Sequence, residues 1–294
     1  LAERGRIKGI GASQSSALFG LNTHESAFSL FEQLTNPHDP TDQELEEMTD
    51  VQAFGLAVEP ALAAWYSRRT GRTVTEPEEP GVFRLKDKPY IFASPDRFTE
   101  TGPLQLKSGI HFDPKEPIPD AWAVQEQHEM LVTGYEFASF AIWSSYRKRY
   151  FINDVPRNDA FCEILVATID KFMHAVNAGS WDKWGSEIDG SKATTEALRR
   201  LYPRDRGTIA NLPEEAQKWA DELAMVKGEI KSLSETGSTL ENQLRLALGE
   251  NSYGLLQDGT GYSLREVRRA GYTVEPTSYR QLRKIKSIPK GLLK

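Results

Sequence analysis

One cysteine in 294 residues, Cys162, excludes a disulfide framework and a Cys-ligated zinc. Its apolar helical surroundings give it the role of a buried structural thiol. The five histidines, His24, His38, His111, His128 and His174, show no metal-ligand spacing, so zinc is not expected. Long apolar runs are also lacking: none approaches the ~20 residues that a membrane-spanning helix needs. Leu1-Ala2-Glu3-Arg4 does not open like a signal peptide. The cytoplasm is the expected compartment, with no membrane partner. There is no surplus of positive charge either. A formal net charge of −6 argues against a protein that coats nucleic acid with its whole surface. Phosphate contacts need clustered cations rather than a high total. Tyr146-Arg147-Lys148-Arg149 is one such cluster, and the tail from Arg265 to Lys294 is dominated by Arg and Lys, against Glu266 and Glu275 alone. Solvated charged faces remain an equal reading of the tail. With 39% hydrophobic and 27% charged residues the chain has the composition of a soluble globular protein.

What the sequence does carry is concentrated between Tyr90 and Lys107. Tyr90, Ile91 and Phe92 have strand composition, Thr99 to Pro103 supplies turn chemistry, and Leu104-Gln105-Leu106-Lys107 alternates apolar and polar. That alternation puts Gln105 and Lys107 on one strand face. The whole segment reads as a hairpin whose first strand is closed by Asp96, bringing a carboxylate within reach of Gln105 and Lys107. Hard oxygen ligands hold Mg²⁺; the metal polarises a phosphate and helps activate water, and an ammonium nearby orients that water or stabilises developing charge. Pro-Asp and x-x-Lys pairs also occur in ordinary hairpins, so an exposed hairpin with a solvated lysine competes with this reading. The spacing resembles the PD-(D/E)xK nuclease signature, with Pro95-Asp96 as its first half and Gln105-Leu106-Lys107 as its second. Gln105 departs from it: the signature has Asp or Glu there, whereas an amide offers one carbonyl oxygen and no charge.

The rest of the chain supplies context. Arg4 to Asn22 is a glycine-rich entry into a short helix, with Ser13 or Ser15 as N-cap and Gly20 as stop. Ser26 to Thr35 and Glu44 to Arg69 have helical periodicity, the second through Phe54, Val58, Leu62 and Trp65 or Tyr66, with Glu59 beside the apolar stripe and Gly55 one turn earlier. Gly71 to Thr75 and Val82 to Leu85 are short strand candidates. A helix starts at Asp120 and runs to Gly134, carrying Gln125 and Gln127 around an acid. Phe137 to Trp143 and Tyr150 to Asn153 are strands joined by the basic turn, and Asn158 to Val176 is a closing helix. These elements describe an α/β core, a mixed central sheet flanked by helices.

In their order, the pieces resemble the lambda-exonuclease-like nucleases, the YqaJ-like viral recombinase family, over roughly Arg6 to Val176. Arg6 with Ile10-Gly11-Ala12-Ser13, Gly55 with Glu59, Ser94-Pro95-Asp96, Leu104-Gln105-Leu106-Lys107, and Gln125 to Thr133 match the family's ordered motifs. The resemblance implies a PD-(D/E)xK restriction-endonuclease-like fold. It also implies metal ligation by Asp96, by residue 105 and by the Leu106 carbonyl, with Glu59 acting directly or through water. Lys107 would position the attacking water, Gln125 or Gln127 would hold the water or the scissile phosphate, and Arg6 and Ser13 would bind a 5′ phosphate. Arg147, Lys148 and Arg149 are the further DNA-binding candidates. The implied cofactor is Mg²⁺, with Mn²⁺ as substitute. The implied reaction digests one strand of duplex DNA from its 5′ end, leaving a 3′ single strand for an annealing protein. A trimeric or tetrameric ring and a phage or prophage origin in a bacterial host cytoplasm also follow from it.

The core is expected over residues 1–178 and a C-terminal extension over 179–294. Asn211-Leu212-Pro213-Glu214-Glu215 is a helix start. Trp219, Leu223, Val226, Ile230, Leu233, Leu240 and Leu244 then form a heptad stripe, with Gly237 as the expected bend. Tyr253 to Tyr262, centred on Asp258-Gly259, is expected to form a small hairpin before the basic tail. Two functions fit: a Mg²⁺-dependent exonuclease weakened by the amide at Gln105, or a noncatalytic DNA-end-binding or assembly protein that keeps the nuclease fold.

Overall fold

Pro95 has no backbone N–H to give to a strand ladder, and the strand that approaches it ends at Ala93. The computed structural model describes residues 8–37, 50–109, 113, 117–185 and 187–268. Its elements in chain order are β1 (Ile10–Gly11), α1 (Ala12–Ser15), α2 (Ala27–Thr35), α3 (Asp50–Thr70), β2 (Phe83–Leu85), β3 (Lys88–Ala93), β4 (Arg97–Thr99) and β5 (Gly102–Gly109). They continue with α4 (Asp120–Thr133), β6 (Phe137–Ser144), β7 (Arg149–Pro156), α5 (Asp159–Ala178), α6 (Lys192–Leu201), α7 (Ala216–Leu248), β8 (Tyr253–Leu255) and β9 (Gly261–Ser263). Short 3₁₀ turns occupy Ser16–Phe19 and Trp181–Lys183. Among the described residues no helix is long and apolar enough to cross a membrane.

The expected hairpin from Tyr90 to Lys107 is corrected. β3 is the middle strand of a three-stranded sheet, β1-β3-β2, parallel to β1 and antiparallel to β2. At Ser94-Pro95-Asp96 the chain leaves that sheet and enters a second, β4-β5-β6-β7. The true hairpin is β4 with β5, in the register Arg97↔Leu104 to Thr99↔Gly102. β5 pairs parallel with β6, and β6 antiparallel with β7. Asp96 therefore stands at the joint between two sheets rather than at the end of one ribbon.

Local chemistry sets the helix ends. Ser26 caps α2 by accepting from the Ser29 N–H at 3.0 Å, and Asn158 caps α5 by accepting from the Phe161 N–H at 3.1 Å. Gly134 and Gly179 end α4 and α5 in the left-handed conformation, with φ of 81° and 61°. The N-cap of α1 is Gly11, not Ser13 or Ser15; the Gly11 N–H donates to Gln14 Oε1 at 3.2 Å, and Gly20 is the left-handed stop. Gly71 to Thr75 contributes only an isolated bridge, Thr75 to Phe98.

β5 shows why the site forms where it does. Leu104 and Leu106 face α3, packing with Leu62, Ala63 and Tyr66. The intervening Gln105, also fully buried, faces α4 through its hydrogen bonds. Burial of both strand faces between two helices takes the intervening polar side chains out of water as well. α4 lies against both sheets. On the first sheet Ile10 and Ile91 pack with Leu165, Ile169, Phe172 and Val176 of α5.

The expected domain boundary after residue 178 moves to 202. Trp184 is buried edge-on against Phe172, ring centroids 5.3 Å apart, and Trp181 meets Phe28 at 5.1 Å. Thr194 on α6 shares a 2.7 Å hydrogen bond with Ser26. These contacts hold residues 179–202 in the first unit, Leu1–Tyr202; the second is Pro203–Lys294. In the second unit α7 runs as one helix from Ala216 to Leu248, through Gly228 and Gly237 without interruption. Its stripe of Trp219, Leu223, Val226, Ile230, Leu233 and Leu240 is exposed. β8 and β9 form the small hairpin expected around Asp258-Gly259, with Gly259 at φ 82°. Arg269 to Lys294 of the basic tail lie outside the described residues.

Candidate metal centre

Gln105 and Lys107, two residues apart on β5, meet Gln125 and Glu129, four apart on α4, because i and i+4 share one helix face. The contacts form a closed polar chain. Lys107 Nζ donates to Gln125 Oε1 at 3.0 Å. Gln125 Nε2 donates to Gln105 Oε1 at 3.1 Å and to Glu129 Oε1 at 3.0 Å. Gln105 Nε2 donates to both Glu129 oxygens, at 2.6 and 2.7 Å. Lys107 also lies over the Trp122 ring, 5.9 Å from its centroid. Asp96 joins from the sheet junction, its Oδ2 accepting the Leu106 N–H at 2.9 Å.

The electrostatics of this cluster are unbalanced. Burial, reinforced by Asp96, pushes the Glu129 carboxyl up to about 7, against the pull of Gln125, Lys107 and Gln105. Burial and then Glu129 push the Glu126 carboxyl well up, against Lys107. Glu126 is fully buried and neither of its oxygens has a hydrogen-bond partner. Three carboxyl groups thus act on each other around one lysine, in a region where an uncompensated charge is costly. Protonation relieves this crowding, and a divalent cation would do so as well, since every donor at hand is a hard oxygen: the carboxyls of Asp96, Glu126 and Glu129 and the Gln105 carbonyl. The donor set fits Mg²⁺ or Mn²⁺ in kind. Among the described residues, no three acidic, histidine or cysteine side chains already converge as a ready cation cage.

The other expected residues fall at different distances from this centre. Glu59 on α3 lies with its Oε2 3.9 Å from Arg97 Nη1, and Arg97 donates to the Asp96 carbonyl at 2.6 Å. Glu59 therefore borders the Asp96 corner. Gln127 does not join the cluster. Its Nε2 donates to the Pro156 carbonyl at 2.9 Å and its Oε1 accepts the Asn158 N–H at 2.7 Å, so it ties the end of β7 to the start of α5. Two residues of helical rotation, ~200°, separate it from Gln125 and likewise from Glu129, which turns it to the other side of α4. Ser13 is exposed on α1, and Arg6 lies outside the described residues. Arg147 and Lys148 form an exposed turn, Arg149 begins β7, and Arg147 pairs with Asp113. Lys107 pairs with Ile142. β6 ends at Ser144, two residues or ~7 Å beyond Ile142, and the basic turn follows it.

Glu126 and Glu129 are the residues that sequence reasoning missed. The available signal was the i, i+4 pair Gln125 and Glu129, which must face the same neighbour. His128, on the same helix, is fully buried in the fold, and burial holds its imidazole down at about 3, opposed by the Phe92 backbone. An unfolded chain takes that proton first, near the ordinary 6.5, so the stability supplied by the neutral ring is present above that value and is lost as the pH falls towards 3. Between pH 7.5 and pH 5 the loss should be about 2 kcal/mol. Urea unfolding of the wild-type and His128→Gln chains at the two pH values measures it. The raised carboxyls of Glu126 and Glu129 act in the opposite sense, their penalty growing as the pH rises above 4.5, and they cancel in the difference. Equal pH dependence in both chains would refute a buried neutral imidazole.

Comparison with known proteins gives the following relatives. The YqaJ protein of Bacillus subtilis (strain 168) is 26% identical over 261 residues, covering 85% of this chain and 78% of that protein. Among solved structures, the alkaline exonuclease LHK-Exo from Laribacter hongkongensis is 21% identical, covering 60% of this chain and 91% of that chain with a TM-score of 0.47. A phage related exonuclease from Haemophilus somnus 129PT is 10% identical, covering 66% and 96%, with a TM-score of 0.39. Residues 3–136, which hold Asp96, Gln105, Lys107, Gln125 and Glu129, match the YqaJ-like viral recombinase domain.

Proposed function

We propose that this protein is a Mg²⁺-dependent exonuclease that digests one strand of duplex DNA from its 5′ end and leaves a 3′ single strand for an annealing protein. The observation that carries the reading is the joined set Asp96, Gln105, Lys107, Gln125 and Glu129, hard oxygen donors and one ammonium brought together on β5, α4 and the sheet junction. When bound, the cation would polarise the scissile phosphate and lower the pKa of a water. Asp96 and the carbonyl oxygens of the cluster would hold it, with Glu59 beside them. Lys107, steadied by Gln125, would orient the water. The basic turn at Arg147, Lys148 and Arg149 would bind backbone phosphates. The polarity, the annealing partner, the oligomeric ring, Mn²⁺ as substitute and the cytoplasmic setting come from the family resemblance. The expectation of a site weakened at Gln105 counts charge at one position only, and Glu129 bears on it directly.

Incubation with 5′-phosphorylated duplex DNA carrying a 3′ label, with Mg²⁺ or Mn²⁺, should release 5′ nucleotides and shorten the labelled strand from the end opposite its label. Absence of digestion on blunt, recessed and overhanging ends with either metal would overturn the reading. One observation favours a noncatalytic DNA-end-binding protein: among the described residues the acidic groups do not converge as a finished cage. Tight binding of DNA ends without digestion is the outcome that would establish it.

A further inference from the structure

Position 105 faces a carboxylate. The Gln105 amide nitrogen lies 2.6 and 2.7 Å from the two oxygens of Glu129, so the place where a strand acid would present its charge is already beside one. We propose that Glu129 supplies the carboxylate that β5 lacks at position 105, so that Asp96 and Glu129 are the acidic ligands of the cation. This rests on the metal-dependent nuclease reading above and changes what Gln105 means within it.

Three observations carry the assignment. The first is charge. An acid at 105 together with Asp96 would give the centre two negative charges; Gln105 removes one and Glu129 returns it, 24 residues later, on the helix facing the strand. The second is lone-pair accounting. Glu129 Oε1 accepts from both Gln105 and Gln125, whereas Oε2 accepts from Gln105 alone. A carboxylate oxygen has two acceptor sites, so Oε2 retains one for a cation. The amides of Gln105 and Gln125 meanwhile fix the orientation of the carboxylate, as hydrogen-bonding partners outside a metal's own ligands commonly do. The third is Glu126, one helical turn before Glu129, buried with both oxygens unpartnered and electrostatically coupled to Glu129, Asp96 and Lys107. A buried carboxyl group with no hydrogen-bond partner is a place where a bound ion or water would complete the site.

A glutamate at 105 without a change at 129 would put two carboxylate oxygens where an N–H···O contact now stands. The two positions are therefore expected to vary as a pair. Mn²⁺ alone serves as the probe, its binding read by calorimetry and by the quenching of its paramagnetic resonance signal, without DNA. Glu129→Gln should weaken Mn²⁺ binding by about tenfold or more. The exchanged variant Gln105→Glu/Glu129→Gln, which keeps the same two side chains in swapped places, should restore it. Binding undiminished in Glu129→Gln, or no recovery in the exchanged variant, overturns the proposal. If Glu129→Gln does not fold, carbon-13 NMR of the unaltered chain decides. Traces of Mn²⁺ should broaden the Glu129 carboxyl signal, and a Glu129 signal left sharp while Asp96 broadens overturns it. A wild-type chain that binds no Mn²⁺ at all defeats the metal-nuclease reading itself, an outcome distinct from a wild type and a Glu129→Gln variant that bind alike.

Discussion

Lys107→Met is expected to lower single-turnover digestion of duplex DNA by about 10²–10⁴-fold while leaving the affinity for DNA ends nearly unchanged. Methionine preserves the length and flexibility of the side chain and removes its charge and three donors. In the fold, the lysine ammonium is not spread over solvent: it donates to Gln125 at 3.0 Å, rests over Trp122, and is the cation that pulls against the raised carboxyls of Glu126 and Glu129. A group so held is suited to fixing one water in one place. On the proposed reading, affinity for DNA would come mostly from exposed cations that meet phosphates, such as Lys148 in the turn after β6 and Arg149 at the start of β7, both exposed. Rapid-quench digestion and fluorescence anisotropy on the same 5′-phosphorylated duplex separate the two quantities. A loss of affinity as large as the loss of rate would make Lys107 a phosphate anchor, and a rate reduced less than about tenfold would remove it from the chemistry.

Gly102→Ala is expected to cost more than about 4 kcal/mol, enough to leave little folded protein. Gly102 opens β5 at φ 144°, a conformation that side chains rarely adopt, and a Cβ there would stand 2.0 Å from the Phe137 carbonyl oxygen and 3.1 Å from Tyr135 Cβ. The obstruction is backbone of the neighbouring strand, which has no rotamer to change. Gly134→Ala is the matched control. It has φ 81° but nothing within 4 Å of its Cβ, so only conformational strain of about 1–2 kcal/mol applies. Urea unfolding of both variants checks the pair. Similar losses in the two would deny the close approach of β5 to the start of β6.

Periodicity made the helices at α2, α3, α5 and α7 legible, and alternation placed Gln105 and Lys107 on a common face of β5, as found. What sequence could not convey was partnership. Tyr90 to Phe92 has the composition of a strand whichever sheet it joins, so the change of sheet at Pro95 was hidden, as were β1 and β4, too short for any period to register. Trp181 and Trp184 sit in a polar stretch without a stripe, and α6 buries Ala193, Thr194 and Ala197, small residues that give little hydrophobic signal; the boundary was accordingly drawn 24 residues early. In the site, Asp96, Gln105 and Lys107 are brought together by spacing, and Gln125 enters only through the family resemblance. Glu129 was legible by neither route, because its meaning depends on α4 lying across β5. The resemblance offers Gln125 and Gln127 alike, and the helix turns Gln127 toward Pro156.

The connection of β5 to β6 through α4 has a kinetic consequence. Parallel strands cannot pair until the helix between them has been laid down, and β5 pairs with β6 along its length from Leu104 to Gly109. Gln105, Lys107, Gln125 and Glu129 all belong to that single strand–helix–strand passage. Closing the crossover and drawing these four side chains out of water are therefore one event on the folding path, so the desolvation of a crowded polar cluster is tied to a non-local pairing. A cation that favours the assembled cluster would then speed refolding as well as hold the native state, so that the rate at which the chain matures would depend on metal supply.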